Sequence, residues 1–154
     1  MSHRTIYKSF LEASVYTLLR ALPENYPISS LVELFQEITF LTVKGQTLDM
    51  QNSCLSTVDL DRFTHQNYTA IVKYKTSAYS FYLPIAAGLL ASGHDPSDQH
   101  LKNILMEMGN YFQAQDDYLD CFGDPNVTGK VGTDIQVKAL VFIFTAGLTG
   151  CLEF

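Results

Sequence analysis

Apolar residues recur at three- and four-residue spacing over most of this chain, and that recurrence constrains its fold more than any other feature. Leu31, Leu34, Phe35, Ile38 and Leu41 form one such set, and Ile6, Phe10, Ala13 and Leu18 form an earlier one. The spacing places each set on one face of a 3.6-residue helix. No segment shows the period of two that a half-buried strand requires, and there is no internal repeat. The sequence therefore predicts an all-α chain. With 154 residues it is long enough for one domain with a sizeable core.

Punctuation residues predict where the helices begin and end. Pro23 and Pro27 close the first helix. Ser30 and Glu33 form a capping-box pattern that opens a second helix, running to about Asp49. A polar connection follows, and residues 60–92 read as one long or kinked helical stretch, with Pro84 expected to kink or break it. Ser97 is the expected N-cap of a helix that runs to about Phe122. Residues 123–134, rich in Gly and turn formers, read as a loop.

Composition limits the function classes. A hydrophobic content of 47% and a charged content of 17% describe a globular protein. A net charge of −6 argues against a nucleic-acid partner, which favours a basic face, and suits a protein that recruits cations. Cys54, Cys121 and Cys151 have neither metal-site nor disulfide-framework spacing, so a reducing, cytoplasmic setting is expected. The first residues contain no apolar signal-peptide core. The most apolar run, 139–152, is shorter than the ~20 residues a membrane span needs, so none is expected.

Against this background the stretch GNYFQAQDDYLDCFGDP, 109–125, stands out. It carries Asp116, Asp117, Asp120 and Asp124 within nine residues of a segment that otherwise reads as a buried helix. Leu101, Ile104, Leu105, Met108, Phe112, Leu119 and Phe122 fall on one stripe, expected to face the core. Gln113, Asp116, Asp117 and Asp120 fall on the adjoining face, expected to line a cavity. Like charges at i,i+3 and i,i+4 cost a few tenths of a kcal/mol each, and anions near a helix C-terminus are disfavoured by its dipole. A solvated acidic face is one reading of the pattern. A site for a hard divalent cation is the other: Mg²⁺ takes oxygen ligands, typically one or two carboxylates with substrate phosphates. Zn²⁺ would require His or Cys.

Two further segments carry cations and hydroxyls. VTGKVGTD, 127–134, sets Thr128, Lys130 and Thr133 among glycines that let backbone N–H groups approach an anion; an ordinary surface turn has the same composition. Lys75 and Tyr79 lie at i,i+4 with Thr76 beside them, able to meet a diphosphate, or to be a snorkelling lysine and a core-edge tyrosine.

Taken together, GQTLDM (45–50), YTAIVKYKTSAYSFYLPIAAGL (68–89) and MGNYFQAQDDYLDCFGDPNVTGKVGTDIQ (108–136) closely resemble the eukaryotic-type farnesyl diphosphate synthases of the polyprenyl synthase family. The last segment resembles that family's second aspartate-rich motif. The resemblance implies an isoprenoid-synthase helical bundle around a deep cavity, usually a homodimer. It implies Mg²⁺-dependent head-to-tail condensation of isopentenyl diphosphate with an allylic diphosphate, with Mn²⁺ as a substitute ion. By resemblance Asp116, Asp117 and Asp120 are metal ligands, and Lys75 and Lys130 hold the allylic diphosphate. Thr76 and Gln113 match positions beside the developing carbocation, which with Lys75 makes the implied catalytic set. Gln46 and Asp49 match a polar pair lining the cavity, Tyr79 and Phe112 its wall, and Asp134 a position that orients metal-bound groups.

The sequence also departs from the family pattern. The family carries a first D-D-x-x-D followed by two arginines; here there is no second D-D-x-x-D and no Arg-Arg pair. Residues 1–136 are therefore expected to form a partial synthase domain, and 137–154 a divergent apolar tail. The isolated chain is expected to be impaired as a prenyltransferase. The alternative reading is a non-catalytic fragment that binds diphosphate or pairs with a full-length synthase as a heterodimer.

Overall fold

The computed structural model describes residues 3–53 and 64–133. Asp134, Cys54, Cys151 and the apolar stretch 137–154 lie outside the described residues. Helix α1 spans His3–Arg20 and α2 spans Ile28–Ser53. Next come α3, His65–Val72, a π-helical segment, Lys73–Tyr82, and α4, Leu83–Ala91. The chain continues with α5, Gln99–Phe122, and a single-turn helix α6, Pro125–Thr128. The fold is all-α, and there is no strand among the described residues.

Local chemistry explains most boundaries. Thr64 caps α3 by accepting from the Asn67 N–H at 3.2 Å. Asp98 caps α5 by accepting from the His100 N–H at 2.8 Å, displacing the expected Ser97 by one residue. Ser97 instead donates its backbone N–H and its hydroxyl to Asp95, at 2.9 and 2.6 Å. α2 begins two residues before Ser30, directly after Pro27, because proline closes the preceding turn and its fixed φ favours a helix start. Within the loop expected after Phe122, Asp124 caps α6 and Gly129 ends it at φ 71°, a left-handed position that glycine tolerates.

Pro84 does not break the helix. Val72, Lys73, Tyr82 and Leu83 all hold right-handed helical dihedrals, so α3, the π segment and α4 run on continuously. Pro84 falls in the first turn of α4, where a missing N–H is tolerated, and the backbone upstream widens into the π register.

The π segment lies at the centre and packs chiefly against α5 and α2. Leu34 and Ile38 of α2, Ala78 and Tyr82 of the π segment, Leu83 and Ala86 of α4 and Leu105 of α5 form the main core. Tyr68, Ile71 and Val72 form a second cluster with Leu48. The α2 stripe is buried as expected at Leu31, Leu34 and Ile38. The α5 stripe is not: of its seven members only Leu105 is buried, while Ile104, Met108, Phe112, Leu119 and Phe122 are 39–63% exposed. On α1, Ile6, Phe10 and Leu18 are likewise exposed, and Leu19 is buried instead.

Candidate functional site

Two glycines bring the site together. A Cβ at Gly109 of α5 would lie 2.2 Å from the Ser77 hydroxyl and 2.5 Å from Ser77 Cα. A Cβ at Gly45 of α2 would lie 2.6 Å from the backbone nitrogen of Lys75. Only a residue without a side chain admits such approaches. The π segment is thereby clamped between two helices within its KYKTS stretch, by α2 at Tyr74 and Lys75 and by α5 at Ser77.

From each glycine the next turn of the same helix supplies a polar partner. On α2, Asp49 lies four residues beyond Gly45, and its Oδ2 accepts from Lys75 Nζ at 2.5 Å. Asp49 is buried, while the Lys75 side chain retains 38% exposure. On α5, Gln113 lies four residues beyond Gly109, and its Oε1 accepts from the Thr76 hydroxyl at 2.7 Å. One turn further, Asp117 Oδ1 accepts from Gln113 Nε2 at 2.9 Å. Asp117 Oδ2 accepts from the hydroxyl of Tyr68, on α3, at 2.9 Å. The inward face of α5 thus runs Leu105, Gly109, the half-buried Gln113 and Asp117, so Asp117 at 3% exposure is buried where the apolar stripe was expected to be. Burial is the main cause that holds the Tyr68 hydroxyl far above its usual range, followed by the Asp117 charge, their hydrogen bond and the Asp116 charge.

The other aspartates occupy a wetter edge. Asp116 is 43% exposed in its side chain, and its Oδ1 accepts from Lys130 Nζ at 2.8 Å. Asp120 is half-buried, and Gly132 packs onto it so closely that a Cβ there would lie 1.7 Å from the Asp120 carbonyl oxygen. The loop carrying Lys130 is therefore laid along the end of α5. Asp124 belongs to α6 as its cap, where an anion is favourable. Among the described residues no three His, Cys, Asp or Glu side chains form a group that could hold a metal.

The remaining expected positions divide. Gln46 is exposed on α2. Tyr79 is 55% exposed and lines a groove of about 970 Å³ with Leu11, Phe35, Thr39 and Leu83, apart from the Lys75–Asp49 pair. Phe112, 48% exposed, meets Phe81 edge to face at 5.7 Å and does not line that groove. Sequence reasoning missed Tyr68, Gly45 and Gly109. All three stood inside the segments that carried the resemblance, and Gly109 is a glycine inside a helical pattern, a recognised sign of close packing.

The polyprenyl synthetase family model matches residues 3–151. The chain belongs to the polyprenyl synthetase family. Among its relatives in this family, the farnesyl pyrophosphate synthase of Mus musculus is 54% identical over 129 residues, which are 82% of this chain and 36% of that protein. Farnesyl pyrophosphate synthase of Homo sapiens is 53% identical over 131 residues, 83% of this chain and 31% of that protein. The chain thus spans about a third of the length of the curated relatives it matches. The structure of unliganded T. brucei FPPS superposes with a TM-score of 0.75 at 38% identity, covering 82% of this chain and 38% of that one. A bisphosphonate-complexed T. brucei farnesyl diphosphate synthase gives the same TM-score at 33% identity, covering 82% and 39%. The all-α polyprenyl synthetase architecture of this chain is that of these neighbours. No helix among the described residues is long and apolar enough to cross a membrane.

Proposed function

We propose that this chain supplies the diphosphate-binding half of a farnesyl diphosphate synthase site, for Mg²⁺-dependent head-to-tail condensation of isopentenyl diphosphate with an allylic diphosphate. The observation that carries the proposal is the placement of Lys130 against Asp116 beside Asp120, in a chain about half identical to farnesyl pyrophosphate synthases. Carboxylate oxygens suit a hard cation, and Mg²⁺ is typically held by one or two carboxylates together with substrate phosphates. Asp116 and Asp120, one turn apart at the half-exposed end of α5, fit that mode. Asp117, assigned to the same metal set by resemblance, acts from behind them with its oxygens on Gln113 and Tyr68. When bound, the ion would neutralise charge on the departing diphosphate.

Lys130 and Lys75 would contribute the protein's own cations. Asp49 holds Lys75 and Asp116 holds Lys130, and an arriving diphosphate would exchange these carboxylates for phosphate oxygens. Thr76 and Gln113 would place a hydroxyl and an amide dipole near the reacting carbon. The resemblance assigns Gln46, Asp49, Tyr79 and Phe112 to the substrate's border, of which Asp49 meets Lys75 directly while Tyr79 lines a separate groove; a homodimer and a cytoplasmic setting would follow as in the proposed class. Calorimetric titration of geranyl diphosphate in Mg²⁺ should give binding heat that Asp116→Ala and Lys130→Ala each reduce at least about tenfold in affinity. Equal affinity in wild type and both variants would refute the site.

A second reading has its own support. The sequence holds one D-D-x-x-D where the proposed chemistry uses two. A chain of this composition would act as a diphosphate-binding partner of a full-length synthase. A mixed dimer in size exclusion, with loss of synthase activity on mixing, would identify this role, and two separate peaks would reject it.

A further inference from the structure

Three hydrogen bonds link α3, the π segment and α5, and their direction is fixed from one end. The Asp117 carboxylate can only accept. The side of the Gln113 amide that meets it is therefore Nε2, 2.9 Å from Oδ1. The amide oxygen must then face Thr76, whose hydroxyl donates to it at 2.7 Å. A hydroxyl has a single proton, so Thr76 Oγ1 is left with lone pairs alone for any other neighbour. Tyr68 donates to the second Asp117 oxygen at 2.9 Å and so holds the plane of the carboxylate. Tyr68, Thr76 and Asp117 are 4%, 8% and 3% exposed, so bulk water does not compete freely for these bonds.

The geometry points to Tyr68 and Asp117 as positioning residues that set the hydrogen-bond polarity of Gln113 and Thr76, so that Thr76 presents an acceptor and not a donor to a bound allylic group. This deepens the diphosphate-site reading and rests on it, because it specifies what that site offers the hydrocarbon end of its ligand. An oxygen lone pair stabilises positive charge as it develops on carbon, whereas an outward hydroxyl proton would oppose it. Neither Tyr68 nor Asp117 touches the ligand in this arrangement. Their contribution is to remove the wrong orientation of the amide before a ligand arrives.

The test uses the full 154-residue chain, isotope-labelled and without ligand, observed by nuclear magnetic resonance. The Thr76 hydroxyl proton, held by Gln113, should give its own slowly exchanging signal. In Asp117→Asn the side chain can donate as well as accept, so the Gln113 amide takes both orientations and that exchange should quicken by about tenfold or more. Tyr68→Phe keeps the ring and removes the hydroxyl alone, and should quicken exchange by a smaller, measurable factor. Unchanged exchange in both variants, each melting as wild type does, overturns the inference. If Asp117→Asn does not fold, an unchanged rate in Tyr68→Phe is sufficient to overturn it. A variant-sensitive hydroxyl signal with no Mg²⁺-dependent diphosphate heat would instead reject the diphosphate site and leave the polarity intact.

Discussion

Gly109 sets how closely α5 can lie on the π segment, and the distances leave no room for anything larger. A methyl group there would meet the Ser77 side chain and Cα within 2.5 Å. Gly109→Ala should therefore cost about 1–3 kcal/mol or more in urea denaturation, because backbone and not just a side chain must move. Ser77 itself has no exposed surface, and its hydroxyl has no hydrogen-bond partner among the described residues. Ser77→Ala removes an unsatisfied buried group and should be neutral or slightly stabilising in the same measurement. The buried tyrosines give a pH prediction. Tyr68 and Tyr82 are both held above the ordinary phenol range, chiefly by burial, with Asp117 adding for Tyr68 and Glu37 and Asp95 for Tyr82. A raised folded pKa means the native state keeps the proton longer than the unfolded chain does. The stability these groups contribute is thus complete below about pH 10 and is lost as pH rises above it. Thermal melts from pH 8 to 11 should show that fall, and Tyr68→Phe should make it shallower.

At the scale of elements, α5 is where periodicity alone misled. Its apolar residues do share a stripe, yet a stripe reports which residues could be buried together, not which face meets a neighbour. Gly109 lies on the other face, and close backbone approach there draws in Gln113 and Asp117 with it. Leu105→Ala, at 5% exposure in the main core, should cost about 2–5 kcal/mol, whereas Ile104→Ala, at 46% exposure, should cost well under half of that. Equal costs in paired urea titrations would restore the simple stripe. The π segment was similarly hidden. Pro84 signalled a disturbance in the helix, but whether proline kinks a helix or is absorbed by a wider turn depends on what packs around it. Here α2 and α5 hold both sides of the widened segment.

For the whole molecule, the family and the all-α class rest on a match over residues 3–151 and on the superposition with T. brucei FPPS. By the resemblance, the proposed activity draws on two aspartate-rich motifs, and these 154 residues carry one. Withdrawing about 4 kcal/mol or more of transition-state stabilisation corresponds to at least about a thousandfold in rate. A steady-state assay of the 154-residue chain with isopentenyl and geranyl diphosphates in Mg²⁺ should therefore run that far below a full-length synthase. Comparable turnover would overturn the expectation that the isolated chain is impaired as a prenyltransferase.

Helix content, approximate boundaries and the residues bearing the candidate chemistry were legible from sequence, because backbone propensity, capping and apolar period act over a few residues. Lys75, Thr76, Gln113, Asp116 and Lys130 were each named from local pattern and resemblance, and the fold joins them as two ion pairs and one hydrogen-bonded chain. The pairings themselves were not legible. Asp49 meets Lys75 across 26 positions, and Tyr68 meets Asp117 across 49. Such contacts depend on helix approach and burial, which only the packed molecule decides. That is why Asp117, which reads in the sequence as one of three equivalent carboxylates, becomes in the fold the buried acceptor on which Tyr68 and Gln113 converge.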